Sequence, residues 1–284
     1  MNADIIPFRI RIPQVELDDL RDRLSRTRSP YPVPGTGAQW DHGIAPDYLR
    51  DLASYWADGF DWRAHETELN TLPHFVTEID GQTIHFVHLR SPEPGATPLL
   101  LNHSYPTSFV EFRTASGPLT DPRAHGGDPA DAFHLVIPSL PGFAFSSPLS
   151  ARGWHLDRTA EAALLPDRVI GAHTHGDRLQ LGTIGEDLPA PAGLDAEERK
   201  QLQAAAADFY WEMAHAENTG WGGSSPVPQG QSLFHSDPLV RKALGAGDSI
   251  AFFRDHAEGG HFPAFEVPEL FTDDIRSFFR QLRE

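Results

Sequence analysis

His261 and Asp237 are the side chains whose types and order suggest chemistry most directly. His261 follows Gly259 and Gly260, and glycines let the backbone turn an imidazole toward the ends of neighbouring strands. Asp237 ends a segment, residues 227–237, that reads as a buried strand delivering a carboxylate. The acid precedes the base along the chain, as in hydrolytic acid–base pairs built on sheets. The sequence therefore predicts an orienting carboxylate and a general base at neighbouring strand ends.

The elements that must position this pair read as an α/β sheet. Residues 75–79 and 83–89 surround an Asp80-Gly81 turn, which predicts a β-hairpin. Residues 97–102 and 134–138 are continuous apolar strands, of the kind that lies inside a sheet covered by helices on both faces. Turns rich in glycine and proline follow these two strands, where such sheets place ligand sites.

The N-terminal segment is rich in aromatic side chains. Residues 8–12 alternate like a short strand, Pro13 opens a helix, and a second helix is predicted from Tyr48 to Trp56. Packing of the aromatic side chains onto the main body explains them better than a ligand cage does.

Composition excludes several classes of protein. The net charge of −17 argues against nucleic acid and anionic membranes as partners, since both would be repelled. The absence of cysteine excludes disulfides, thiolate catalysis and cysteine-ligated metal sites. Neither a signal peptide nor an apolar stretch of bilayer length is visible, so a cytoplasmic location is expected.

Four stretches are specific in combination: residues 69–75 with Ile79-Asp80-Gly81, the loop His103-Ser104-Tyr105-Pro106, residues 125–143, and the tail from Phe209 onward. In this combination the chain resembles the microsomal-type epoxide hydrolases, which have the α/β-hydrolase fold behind a characteristic N-terminal segment. The resemblance runs through residues 1–156 almost without interruption. It implies an α/β-hydrolase-like sheet with helices on both faces behind the aromatic-rich N-terminal segment, whereas the cap is expected to be strongly reduced because the chain is shortened there.

The resemblance also implies a chemistry. In that family an aspartate attacks an epoxide carbon, tyrosines of the cap protonate the departing oxygen, and a His–carboxylate pair activates the water that hydrolyses the ester. By the resemblance, Tyr210 is an acid tyrosine, Asp237 the orienting carboxylate and His261 the base. The oxyanion loop, His-Gly-Trp-Pro in the family, corresponds here to residues His103, Ser104, Tyr105 and Pro106.

The chain departs from the family pattern in two places. The Gly-Gly-Asp-Trp-Gly elbow that bears the nucleophile has no counterpart, because a helix start near Thr159 is followed by a strand at Val169. A strand-turn-helix unit of roughly 30 residues is missing there. A second gap, between Gln203 and Phe209, removes most of the cap. The neighbours of the missing central strand must then pair with each other or remain open.

These features predict four segments along the chain. They are an epoxide hydrolase-like N-terminal segment at 1–72, the first part of the core at 73–187, a residual cap at 188–225, and the C-terminal part of the core with acid and base at 226–284.

Other interpretations of single residues stay open. Asp177 and Ser104 are alternatives for a nucleophile, although neither lies on a recognisable elbow. Asp237 before Pro238 also fits an ordinary helix N-cap, and Tyr210 also fits aromatic packing.

A metal site is a weaker possibility. His173 and His175 could face one way on a strand and combine with His235 or His256, but the spacing of a third ligand is undefined, so no metal is expected. Ser139 and Ser146 read as turn residues.

Two functional hypotheses follow. The first is hydrolysis of a small apolar epoxide to a diol by water activated through His261 and Asp237, without a nucleophilic aspartate and without a cofactor. The second is a catalytically inactive homologue that serves as a binding or interaction scaffold. Hydrolysis of an ester or lactone is a weaker third hypothesis, and assembly into a homo-oligomer is left open.

Overall fold

The computed structural model describes residues 4–29, 44–154, 158–159, 172–176, 227–234 and 250–283. The chain divides into two compact units, Phe8–Pro73 and a larger unit that combines Met1–Pro7 with His74–Glu284. The predicted cap at 188–225 lies outside the described residues, and so do Tyr210 and Asp237.

The described helices of the smaller unit are α1 (Gln14–Ser25), α2 (Pro46–Ser54) and α3 (Trp62–Leu69), with a π-helical turn at Tyr55–Gly59. Pro13 directly precedes α1 and Pro46 begins α2, positions where the missing N–H of proline costs nothing. Asp61 caps α3, because its side chain accepts a hydrogen bond from the Ala64 N–H at 3.1 Å.

The segment predicted as a strand at 8–12 is held by side chains instead. Asn70 accepts from the Ile10 N–H and donates to the Ile10 carbonyl oxygen, both at 2.9 Å. Glu66 accepts from the Ile12 N–H at 2.7 Å. These bonds use the backbone groups that a strand partner would need. The strand β1 lies earlier, at Ile6–Phe8, so the predicted position was wrong by a few residues.

The first sheet has the strand order β1-β2-β3-β5-β4. The strands β2 (His74–Ile79) and β3 (Gln82–Leu89) form the predicted antiparallel hairpin, which turns at Asp80 and Gly81 with φ angles of 50° and 77°. The strand β4 (Thr97–Leu100) runs parallel to β5 (Phe133–Pro138), and β5 is antiparallel to β3.

The core of the larger unit lies between β5 and two helices, α4 (Arg113–Thr120) and α6 (Pro268–Gln281), with the short helix α5 (Pro263–Glu266) just before α6. The Phe112 ring, just before α4, lies 5.9 Å from that of Phe271, and the Phe133 ring lies 5.6 Å from that of Phe279. Each such burial contributes about 1.5–3 kcal/mol. No helix in the described ranges has both the length and the apolar character needed to cross a bilayer.

The second sheet is parallel, with β7 (Gln229–Phe234) between β6 (Ala172–Gly176) and β8 (Ile250–His256). Gly230 lies opposite His173, and a Cβ at Gly230 would come within 2.7 Å of both His173 Cδ2 and Phe278 Cδ2. A glycine is therefore required where α6 approaches this sheet.

The strands β4 and β6 are edge strands of their respective sheets. Among the strands that the structure describes, none lies between them and they do not pair with each other. The sequence predicts the loss of a central strand before β6; residues 160–171 lie outside the described part of the chain, so this stays a prediction.

Candidate functional site

His261 lies on the loop between β8 and α5. Gly259 turns this loop with a φ of 83°, and a Cβ there would lie 2.6 Å from Val267 Cγ2. The Nε2 atom of His261 is 2.7 Å from the carbonyl oxygen of Tyr105. Because a carbonyl oxygen only accepts, Nε2 carries a proton and donates it in this bond. The structure thus brings the predicted base into contact with the predicted oxyanion loop.

His103 is buried at the start of that loop, three residues after the end of β4. Its Nε2 accepts a hydrogen bond from the Leu140 N–H at 3.2 Å, and its Nδ1 lies 3.1 Å from the Ser104 carbonyl oxygen. An amide only donates and a carbonyl oxygen only accepts, so the ring is neutral with its proton on Nδ1. Burial lowers the pKa of His103, although the Ser104 carbonyl and the Glu111 charge act to raise it.

Glu111 holds the same loop through hydrogen bonds to its backbone and side chains. Its fully buried carboxylate accepts from the Ser104 N–H at 2.8 Å, from Ser104 Oγ at 3.0 Å and from Thr107 Oγ1 at 2.7 Å. The Ser104 N–H is thus already used, and Pro106 has no N–H, which leaves the N–H groups of His103 and Tyr105 as the loop donors to consider for a developing oxyanion. The Ser104 hydroxyl donates to a carboxylate, so this contact does not resemble that of a serine nucleophile with its base.

The turn after β5 is fixed to β3 by a second buried histidine. His85 Nδ1 lies 2.8 Å from Ser139 Oγ, and His85 Nε2 lies 3.0 Å from His74 Nδ1. Ser146 Oγ accepts from the His85 N–H at 2.9 Å and donates to the Ser139 carbonyl oxygen at 2.7 Å. Burial, with a smaller contribution from His74, lowers the pKa of His85 to about 3. Ser139 directly follows β5 and Ser146 ends a 3-10 helix, Ala144–Ser146, so the prediction of a turn at Ser146 was wrong; both side chains are fully buried.

Sequence reasoning missed Glu111, His85 and their partners. The available signal for Glu111 was a single acidic residue inside the apolar run from Phe109 to Phe112. For His85 the sequence carried no clear signal, because alternation along a strand places a histidine between Ile84 and Phe86 on the face opposite to these apolar residues. Neither pattern names a partner.

Some of the remaining predicted residues lie within the part of the chain that the structure describes, and others lie outside it. Asp237, Tyr210, Asp177 and His235 lie outside the described residues. His256 Nε2 is 2.7 Å from the Asp274 carboxylate, and His173 Nε2 is 3.1 Å from Ser232 Oγ. Within the described ranges no group of three or more metal-binding side chains occurs.

An apolar cavity of about 190 Å³ lies over one face of the first sheet. Strands β2 to β5 and the turn after β5 line it with side chains that include Phe86, Leu100, Val136 and Leu140. Its wall therefore includes the turn that contacts His103.

The first sheet is mixed, and helices pack on it. His261, on the loop after β8, contacts the loop after β4. These two features are typical of the α/β-hydrolase class. Two solved structures share this fold. The epoxide hydrolase of Aspergillus niger has a TM-score of 0.68 at 24% identity, covering 98% of this chain and 97% of that chain. The juvenile hormone epoxide hydrolase of the silkworm Bombyx mori has a TM-score of 0.68 at 21% identity, covering 99% and 95%.

Residues 5–112 match the family described as epoxide hydrolase N terminus. The protein of Stigmatella aurantiaca (strain DW4/3-1) named "Putative epoxide hydrolase" is 31% identical over 380 aligned positions, which cover 98% of this chain and 86% of that protein. The chain therefore belongs to the epoxide hydrolase family. Epoxide hydrolase 1 of Oryctolagus cuniculus is 38% identical over 163 residues, which is 56% of this chain but only 35% of that protein.

The alignment with the Stigmatella protein also shows that this chain is internally shorter. Its 380 positions exceed the 284 residues of the chain by 96, so at least 96 positions of the relative have no counterpart here. Because the alignment covers 98% of the chain, these missing positions are internal. An internally shortened chain is what the sequence predicts; the assignment of the missing residues to the core and the cap stays a prediction.

Proposed function

We propose that the protein hydrolyses a small apolar epoxide to a diol, with His261 as base, Asp237 as its orienting carboxylate and Tyr210 as proton donor. The observation that carries the proposal is the contact between His261 Nε2 and the Tyr105 carbonyl oxygen, at 2.7 Å. This contact supports the proposal because it joins His261 to the loop proposed to bind the oxyanion, in a chain of the epoxide hydrolase family.

The proposed reaction needs one water and no cofactor. His261 Nε2 takes a proton from water while the water oxygen forms a bond to one epoxide carbon. The bond between that carbon and the ring oxygen breaks, and the departing oxygen takes the hydroxyl proton of Tyr210. The proton on His261 then returns to the Tyr210 oxygen through solvent, so the product is the diol and both side chains are restored.

This chemistry requires His261 to exchange its partner. In the structure Nε2 donates a proton to the Tyr105 carbonyl oxygen, and a donating nitrogen cannot act as a base. Asp237, as the acceptor of an Nδ1 proton, would favour the tautomer whose Nε2 is unprotonated. A water molecule then replaces the carbonyl oxygen at Nε2.

A second candidate function is binding without turnover. One observation favours it: the sequence has no Gly-Gly-Asp-Trp-Gly elbow to bear a nucleophile. The apolar cavity beside the turn after β5 would then hold an apolar ligand without converting it.

Turnover of styrene oxide separates the two functions. Diol formation by the wild-type protein that is lost in His261→Gln supports the proposal. The matched control is His65→Gln, since His65 is an exposed histidine on α3 with a side chain 46% accessible. No diol from a protein that circular dichroism shows to be folded contradicts the proposal and leaves the binding function.

The oxygen source tests the mechanism. A single turnover in ¹⁸O-labelled water places solvent oxygen in the diol if water attacks directly. Unlabelled diol in the first turnover means that a carboxylate of the protein supplied the oxygen and formed an ester, which contradicts direct attack.

A further inference from the structure

Two buried histidines form hydrogen bonds with consecutive residues of the turn after β5. His85 binds Ser139 twice: its Nδ1 lies 2.8 Å from Ser139 Oγ, and its carbonyl oxygen accepts from the Ser139 N–H at 2.8 Å. The N–H of the next residue, Leu140, donates to Nε2 of His103 at 3.2 Å. The turn is thereby fixed between β3 and the loop after β4.

The histidine that holds Leu140 also holds the loop in contact with His261. Its Nδ1 proton is donated to the Ser104 carbonyl oxygen at 3.1 Å. The following carbonyl oxygen, that of Tyr105, accepts from His261 Nε2 at 2.7 Å. Two hydrogen bonds of His103, the covalent backbone from Ser104 to Tyr105 and the hydrogen bond of His261 therefore link the Leu140 amide to the predicted base.

We propose that His103 is a positioning residue for His261, which keeps the Tyr105 carbonyl oxygen in place by binding Leu140 and Ser104, and does so only as a neutral imidazole. The link to catalysis rests on the proposed function of His261; the link to the Leu140 turn does not.

The need for a neutral ring follows from its partners. Leu140 presents an N–H, so Nε2 must offer a lone pair. A proton on Nε2 would set two donors against each other and break the link. Glu111 is the charged group that bears on His103 in the described structure, and its carboxylate favours protonation. Burial against Phe143, whose ring lies 5.2 Å from that of His103, opposes protonation. Burial is the larger effect, so the pKa of His103 is lowered. The link therefore holds at neutral pH and opens on acidification.

Two substitutions separate this role from simple packing. His103→Gln places an amide oxygen near the position of Nε2, so it accepts from the Leu140 N–H but does not titrate. His103→Leu fills similar space and accepts nothing. If His103→Leu does not fold, His103→Gln still tests the proposal, because the wild-type protein titrates and this variant does not.

Amide hydrogen exchange resolved by residue measures the link directly. In the wild-type protein the protection of the Leu140 amide, corrected for the intrinsic pH dependence of exchange, should fall about fivefold as ring NMR signals show His103 gaining a proton, since a hydrogen bond contributes roughly 1 kcal/mol. In His103→Gln it should stay constant, and in His103→Leu it should be low at every pH. The Ser139 amide is the internal control, because it donates to the His85 backbone carbonyl.

Protection that changes with pH equally in wild type and His103→Gln overturns the proposal, as does protonation of His103 without a change at Leu140. If the ring NMR signals of His261 are the same in His103→Leu as in the wild-type protein, the positioning role is overturned, but the link between His103 and Leu140 is not. None of these readouts requires turnover, so a failure of the proposed function, seen as absent diol, is distinguishable from a failure of this inference.

Discussion

His256, the last residue of β8, is bound through Nε2 to the buried carboxylate of Asp274 on α6, at 2.7 Å. The ring of Phe234, at the end of β7, stacks on this imidazole at 4.8 Å. Because His261 lies five positions beyond His256, the pair anchors the strand end from which the loop of the predicted base departs.

Asp274→Ala removes the acceptor of this bond and leaves the half-buried imidazole without it. We expect the free energy of unfolding to fall by about 2 kcal/mol, the usual cost of a buried polar group that loses its partner. Denaturant unfolding measures the change. Asp273→Ala is the matched control, since Asp273 is exposed, pairs with Arg254 at 3.3 Å and should contribute less than about 1 kcal/mol. Equal losses in the two variants would contradict a special role for Asp274.

Asp131 anchors the end of α6 to the segment before β5. Its buried carboxylate binds Arg280 and Arg283, the latter at 2.6 Å, and the bond from Arg280 raises the pKa of that guanidinium. Asp131→Ala should lower stability by about 2–3 kcal/mol, because hydrogen bonds to charged groups are lost and the arginines repel each other. Denaturant unfolding measures the loss, and Glu93→Ala, which breaks the more exposed pair with Arg123, should have a much smaller effect in the same measurement.

Gly230→Ala tests the approach of α6 to the second sheet. A Cβ at this position would meet His173 Cδ2 and Phe278 Cδ2 at 2.7 Å, so backbone or rings must move. We expect a loss of about 2 kcal/mol, within the usual cost of overpacking. Gly95→Ala is the control, because its Cβ meets nothing within 4 Å. A Gly230→Ala protein as stable as the control would show that the interface is looser than described.

His85 makes stability depend on pH. Its pKa is lowered to about 3 in the folded protein, whereas an unfolded histidine gains a proton near pH 6.5. The unfolded state therefore binds more protons between these values, and stability falls as pH decreases, by about 1.4 kcal/mol per pH unit below about pH 6.5.

Unfolding by urea at pH 7, 6 and 5 measures this dependence. His85→Gln should show a shallower decline than wild type, whatever its stability at pH 7, and the exposed-site variant His65→Gln should decline like wild type. Parallel curves for wild type and His85→Gln would exclude His85 as a source of the acid sensitivity.

The hairpin of β2 and β3 could be predicted because alternating side chains and the Asp80-Gly81 turn specify it locally. The strand expected at 8–12 could not be placed correctly, since Asn70 and Glu66 bind its backbone from a helix that lies far along the chain. Tertiary bonds of this kind leave no periodic signal.

For the candidate site, the glycines before His261 indicated its position on a turned loop, and the resemblance indicated the loop at 103–106. The contacts between them depend on how two distant segments meet. The hydrogen bonds between Glu111 and Ser104, and between His103 and Leu140, depend on the tertiary structure. The roles of Asp237 and Tyr210 stay predictions.

Helix α6 places adjacent side chains on different sheets: Phe279 packs on Phe133 of the first, and Phe278 on Phe252 of the second. Unfolding of this helix would expose an apolar face of each sheet at once. The larger unit should therefore lose both sheets in a single cooperative transition, even though no described strand joins them.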